Sequence, residues 1–158
     1  MNEPINASVT VRRSPEDAFR IFTRDMGSWW PLQGFSMAED TYEGSGVKAE
    51  SIVVEERVGG RVYEVMSDGA EGNWATILTW DPPRRLVLAW KPNVTDNPPT
   101  ELEITFTPEE SGTRVDLEHR GWERLGALAT DARAGYGENW NGVLALFAGL
   151  AEQGREER

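Results

Sequence analysis

Between Val47 and Gly121 the chain is punctuated at short intervals by turn residues: Gly59-Gly60, Asp68-Gly69, Asp81-Pro82-Pro83, Asn97-Pro98-Pro99 and Ser111-Gly112. Such pairs supply the positive φ or the fixed φ that reverse a chain. The segments between them are rich in β-branched and aromatic residues, and they place strands near residues 48–57, 61–67, 72–80, 86–92, 101–107 and 113–121. A parallel crossover needs on the order of a dozen connecting residues, and none of these turns is that long. The six strands must therefore run as an antiparallel meander, a requirement that excludes most α/β architectures.

The ends follow other periods. Residues 5–12, INASVTVR, alternate apolar and polar at Ile5, Ala7, Val9 and Val11, which is the pattern of a half-buried strand. Ser14 then caps a helix, Pro15 takes its first position, and Asp17 brings negative charge to the positive helix end. Ala18, Phe19 and Phe22 form the buried stripe. Asp25-Met26-Gly27-Ser28 interrupts it, a second short helix is expected near 25–30 beside Trp29-Trp30-Pro31, and the polar, glycine-rich stretch 34–46 reads as a loop. From about residue 127 to 152, Ala132, Tyr136, Trp140, Val143, Leu144, Phe147, Leu150 and Ala151 recur at helical spacing, predicting one long amphipathic helix. The class is α+β. A chain of 158 residues suits one domain, expected over 1–153 with a polar tail at 154–158.

The order of strand, two short helices, six strands and a long terminal helix resembles the helix-grip fold of the START-like (SRPBCC) superfamily. Within it, SPEDAFRIFT with Trp29-Trp30-Pro31, VGGRVYEVMSDG, WDPPRRLVLAW, TELEITFTPEESGTRVDLEHRGWERLG and the Trp140 helix resemble the branch related to the C-terminal domain of the activator of heat-shock protein 90 ATPase. The resemblance implies a curved antiparallel sheet wrapped around the last helix. It also implies a choice of functions, because superfamilies of this kind carry lipid carriers, hormone receptors, polyketide cyclases and chaperone activators on one scaffold.

Composition narrows the chemistry. The chain has no cysteine and one histidine, so neither thiolate chemistry nor an ordinary zinc site is expected, and no metal or cofactor is assigned. A formal charge of −11, from 16 Lys and Arg against 27 Asp and Glu, disfavours nucleic acid. No stretch approaches the roughly 20 apolar residues of a membrane span, and no basic-then-apolar leader opens the chain. A reducing, cytoplasmic setting is the expectation.

The candidate site comes from side-chain parity. Val115, Leu117 and His119 share one face of their strand, Leu86, Leu88 and Trp90 one face of another, and Leu102, Ile104 and Phe106 one face of a third. These are the inward faces. Glu64 shares parity with Val62 and Met66 and is expected to face the same interior, where a carboxyl group needs a partner. Seven tryptophans are available to line a pocket or to pack a core. The expected lining is Glu64, Trp74, Trp90, His119, Trp122, Tyr136 and Trp140. The leading expectation is binding of an apolar or aromatic small molecule between the sheet and the last helix. One alternative is a cyclase-like or hydrolase-like enzyme using His119 or Glu64 as acid or base. The other is a stress-response module that docks a protein partner, as the family resemblance implies.

Overall fold

The computed structural model describes residues 3–29, 49–66, 69–90, 99–130, 133 and 139–156. Seven strands form one antiparallel sheet: β1 Ile5–Val11, β2 Ala49–Val54, β3 Arg61–Met66, β4 Glu71–Asp81, β5 Arg85–Trp90, β6 Thr100–Glu109 and β7 Gly112–Arg120. Their spatial order is β1-β7-β6-β5-β4-β3-β2. Strands β2 to β7 are therefore a pure meander, as the short turns require, and β1 closes the far edge by pairing with β7 from Ile5↔His119 to Val11↔Thr113. Register shifts interrupt three ladders, at Ala49/Ser51, Val62/Tyr63 and Ile77/Thr79. Each such irregularity bends its strand and adds twist, and together they curve this half of the sheet into an open half-barrel.

Helix α1, Pro15–Thr23, starts where the capping residues place it: Ser14 Oγ accepts the Asp17 N–H at 3.2 Å. A four-residue helix α2 follows at Met26–Trp29. The helix expected over about 127–152 is described in its C-terminal part. Residues Trp122–Leu128 form a 3₁₀ segment, kinked where Gly126 takes φ 57° and ψ −124°, and helix α3 runs over Asn139–Glu156. Gly121 enters that segment at φ 89°, a left-handed turn that an L-residue rarely adopts. Trp30, Pro31, the stretch 34–46 and Tyr136 lie outside the described residues.

Helix α3 lies in the concave face of the sheet. Its buried stripe is Trp140, Val143, Leu144, Phe147 and Ala151, at helical spacing. Its last turns are tied to the end of β1, where Glu152 Oε1 accepts the Arg12 N–H at 2.7 Å and Arg13 Nε donates to the Ala151 carbonyl at 2.8 Å. Toward that end Phe147 meets Phe22 and Trp29 at ring separations of 5.3 and 5.5 Å, and Phe19 packs on Trp80 and Phe106 at 5.0 and 5.1 Å. The architecture is the helix-grip α+β fold. On the convex face, Arg120 bonds Glu103 at 2.5 Å and Glu118 at 2.7 Å, with Glu101 at 3.4 Å. Burial works against ionisation of Glu103, but the hydrogen bonds from Arg120 and Arg85 outweigh it and hold the carboxyl below its usual range.

Candidate functional site: an aromatic cage around His119

Strand parity sends alternate residues of the sheet inward, and the strand ends bring the largest of them together. Trp90 is the last residue of β5 and pairs directly with Thr100, the first of β6. His119, next to last in β7, pairs with Leu102 on one side and Ile5 on the other. Trp122 follows immediately after the Gly121 turn, and Trp140 comes from the first turn of α3. Trp74 sits at the β3–β4 irregularity, where Val62 pairs with Ala75 and Tyr63 with Asn73. The skipped position lets Trp74 and its neighbour Ala75 both turn inward, at 1% and 5% exposure.

The rings form one connected group. His119 lies 4.2 Å from the Trp122 ring, 5.7 Å from Trp140 and 6.4 Å from Trp90. Trp90 in turn meets Trp140 edge to face at 5.5 Å and Trp74 at 6.0 Å. These are the offset and T-shaped separations that aromatic quadrupoles favour, worth about 0.5–1.5 kcal/mol per pair beyond burial.

Polar contacts converge on His119 as well. Trp140 Nε1 donates to His119 Nδ1 at 3.1 Å, and Trp122 Nε1 donates to the His119 carbonyl at 3.0 Å. His119 Nε2 and Thr100 Oγ1 are 2.7 Å apart, and Thr100 Oγ1 donates to the Trp90 carbonyl at 3.3 Å. One residue thus holds two indoles and, through Thr100, the end of β5. Burial pushes the imidazole pKa down to about 3, because the charged form would be stripped of water. At neutral pH the ring is uncharged, and both its nitrogens are engaged.

Six of the seven residues expected at the site are described, and all six are buried. Trp74, Trp90, His119, Trp122 and Trp140 make up the cage. Glu64 faces the same interior from β3, with no exposed surface, opposite Gly72 on β4 and diagonal to Trp74. Strands β4, β5 and β6 intervene between Glu64 and His119, so the sheet does not set them side by side as an acid–base pair. Thr100 is the functional candidate that the sequence reading omits. The parity of Leu102, Ile104 and Phe106, carried one step back past the expected strand start at 101, points to it.

Among the described residues no group of three or more His, Cys, Asp or Glu could hold a metal ion, and no helix is long and apolar enough to cross a membrane. An open trough of about 550 Å³ lies along β1, β6 and β7 and is lined mostly by polar side chains such as Glu103, Arg114 and Glu118. It shares no residue with the cage.

The profile of the family described as Activator of Hsp90 ATPase homolog 1-like protein matches residues 12–152. Among solved structures, an anthrahydroquino-Gama-pyrone synthase, solved as a complex, is 32% identical, with 92% of this chain and 95% of that one covered and a TM-score of 0.61. The self-sacrificing resistance protein CalC from Micromonospora echinospora is 27% identical over 95% and 94% of the two chains, with a TM-score of 0.68. The Aha1 dimer from Colwellia psychrerythraea, 18% identical over 95% and 96% at a TM-score of 0.66, shares the fold. A search of curated protein sequences gives no match.

Proposed function

The chain belongs to the Activator of Hsp90 ATPase homolog 1-like family, and from that premise we propose that it binds an apolar or aromatic small molecule between the sheet and α3, at the cage of Trp74, Trp90, Trp122, Trp140 and His119. The observation that carries this reading is the single ring group drawn from β4, β5, β7, a 3₁₀ turn and the terminal helix, with two of its indoles bonded to one histidine. Small-ligand sites are built in this way, from aromatic walls with few and fixed polar groups. The likeness to a synthase solved as a complex and to a resistance protein supports a ligand-handling role over a protein-docking one. His119 acts in this site as a holder of rings. A neutral imidazole with both nitrogens engaged is poorly placed to shuttle protons at pH 7.

Calorimetric titration and thermal shift with naphthalene, anthraquinone and a long-chain fatty acid test the proposal. Saturable binding by at least one probe, with a rise in melting temperature from preferential binding to the folded state, is expected. Trp90→Ala should weaken that binding. No saturable response to any probe, together with a full truncation penalty of ~3–5 kcal/mol for Trp90→Ala, would identify a packed core instead and end the proposal.

A further inference from the structure

We infer that the preferred ligand of the cage carries an aromatic hydroxyl, held between the Trp140 indole N–H and the Nδ1 lone pair of His119; this rests on the binding reading above. The reasoning begins with the two ends of the hydrogen-bonded chain. The Trp90 carbonyl can only accept, so the single Thr100 hydroxyl proton goes to it. Thr100 Oγ1 then has only lone pairs left for the 2.7 Å contact, which makes His119 Nε2 the protonated nitrogen. From the other end, an indole can only donate, so Nδ1 must be the unprotonated nitrogen that receives Trp140. Both ends demand the same tautomer. Thr100 is therefore a positioning residue: it fixes an acceptor at Nδ1, which faces a fixed donor 3.1 Å away.

A guest entering between these two atoms has to replace both halves of their bond, because a buried polar atom left without a partner is costly. A hydroxyl does so with one oxygen, accepting from Trp140 and donating to His119. An ether or carbonyl can only accept and strands Nδ1. An ammonium can only donate and strands the indole. The sheet carries His119, whereas Trp140 projects from α3, so the hydroxyl would bridge sheet and helix. The flanking Trp90 and Trp122 rings make an aromatic body the matching scaffold for that hydroxyl.

The test compares 1-naphthol with 1-methoxynaphthalene, which has the same ring and an oxygen that cannot donate. Wild-type protein should bind the naphthol about tenfold or more tightly than the ether. Nitrogen-15 NMR of the imidazole should show protonated Nε2 before and after binding, with Nδ1 and the Trp140 indole signal both moving on addition of naphthol. In Thr100→Val a guest seated between Trp140 and Nδ1 leaves neither end to fix the tautomer, so the preference should fall to within about twofold, while Thr100→Ser should retain it. Equal affinity of the two probes in wild-type protein would overturn this inference and leave the binding proposal standing. A ring protonated at Nδ1 would also overturn it. Absence of saturable binding by either probe would remove the binding proposal and the inference together. The wild-type comparison decides the matter even if Thr100→Val does not fold.

Discussion

His119 is the chain's only histidine, which makes its burial measurable through the pH dependence of stability. An unfolded histidine takes up a proton near pH 6.5, whereas the caged ring resists protonation until about pH 3. Between these values the unfolded state binds more protons than the folded state, so stability is greatest above pH 6.5 and falls as pH is lowered toward 3. The limiting slope is about 1.4 kcal/mol per pH unit, and the loss from pH 7.0 to 5.5 comes to ~1 kcal/mol. For a domain of this size that corresponds to a melting temperature lower by roughly 2–4 °C. The window is chosen above the range where the carboxylates titrate. His119→Gln supplies the reference: it cannot titrate, it can still donate toward Thr100, and it leaves the Trp140 N–H without the Nδ1 acceptor. It should be less stable than wild type at pH 7 by ~1–3 kcal/mol. The gap between the two proteins should narrow by ~1 kcal/mol at pH 5.5. Urea titrations at both pH values read these quantities, and carbon-13 labelling of the ring reads the protonation directly. A gap that stays constant with pH, or a ring in the folded protein that titrates near 6.5, would refute the assignment of His119 as a desolvated, neutral hub.

Two further outcomes follow from local geometry. Ser14→Ala removes the acceptor for the Asp17 N–H and should cost ~1 kcal/mol by urea denaturation, with the fold unchanged. Gly112→Ala should cost at least ~2 kcal/mol and loosen amide-exchange protection along β1 and β7, because the residue sits at φ 151° and an added Cβ would lie 2.0 Å from the Val11 carbonyl oxygen.

What could be read from the sequence divides along physical lines. Turn pairs and strand parity are local, so the meander and the inward positions of Trp90, Leu102, Leu117 and His119 follow from residue order alone, and the burial pattern of β7 repeats that alternation. Glu64 was legible for the same reason, since Val62 and Met66 fix its parity. Partnership across the sheet is not local. That β1 joins β7, and so brings Ile5 beside His119, is a pairing between opposite ends of the chain, and the bulge at 62/63 is one that no residue type marks in advance. The same bulge turns Trp74 toward Trp90. The 3₁₀ form of Trp122–Leu128 was not legible, because it rests on the positive φ of Gly121 and Gly126 and on no apolar period.

Thr100 shows the deeper reason why the site was only half visible. A threonine at a strand start has no compositional signature of function, and its role exists only in relation to atoms brought to it by two neighbouring strands: the Trp90 carbonyl across one ladder and the His119 ring reached across the other. Neither contact favours threonine by propensity. What selects it is a directional requirement, a group that gives one proton and receives another, which valine of nearly the same shape cannot meet and serine can. Side-chain parity can therefore find the walls of such a site, but the proton order within it emerges only when the ends of the chain of bonds are known. Here both ends, a carbonyl and an indole, leave a single consistent arrangement.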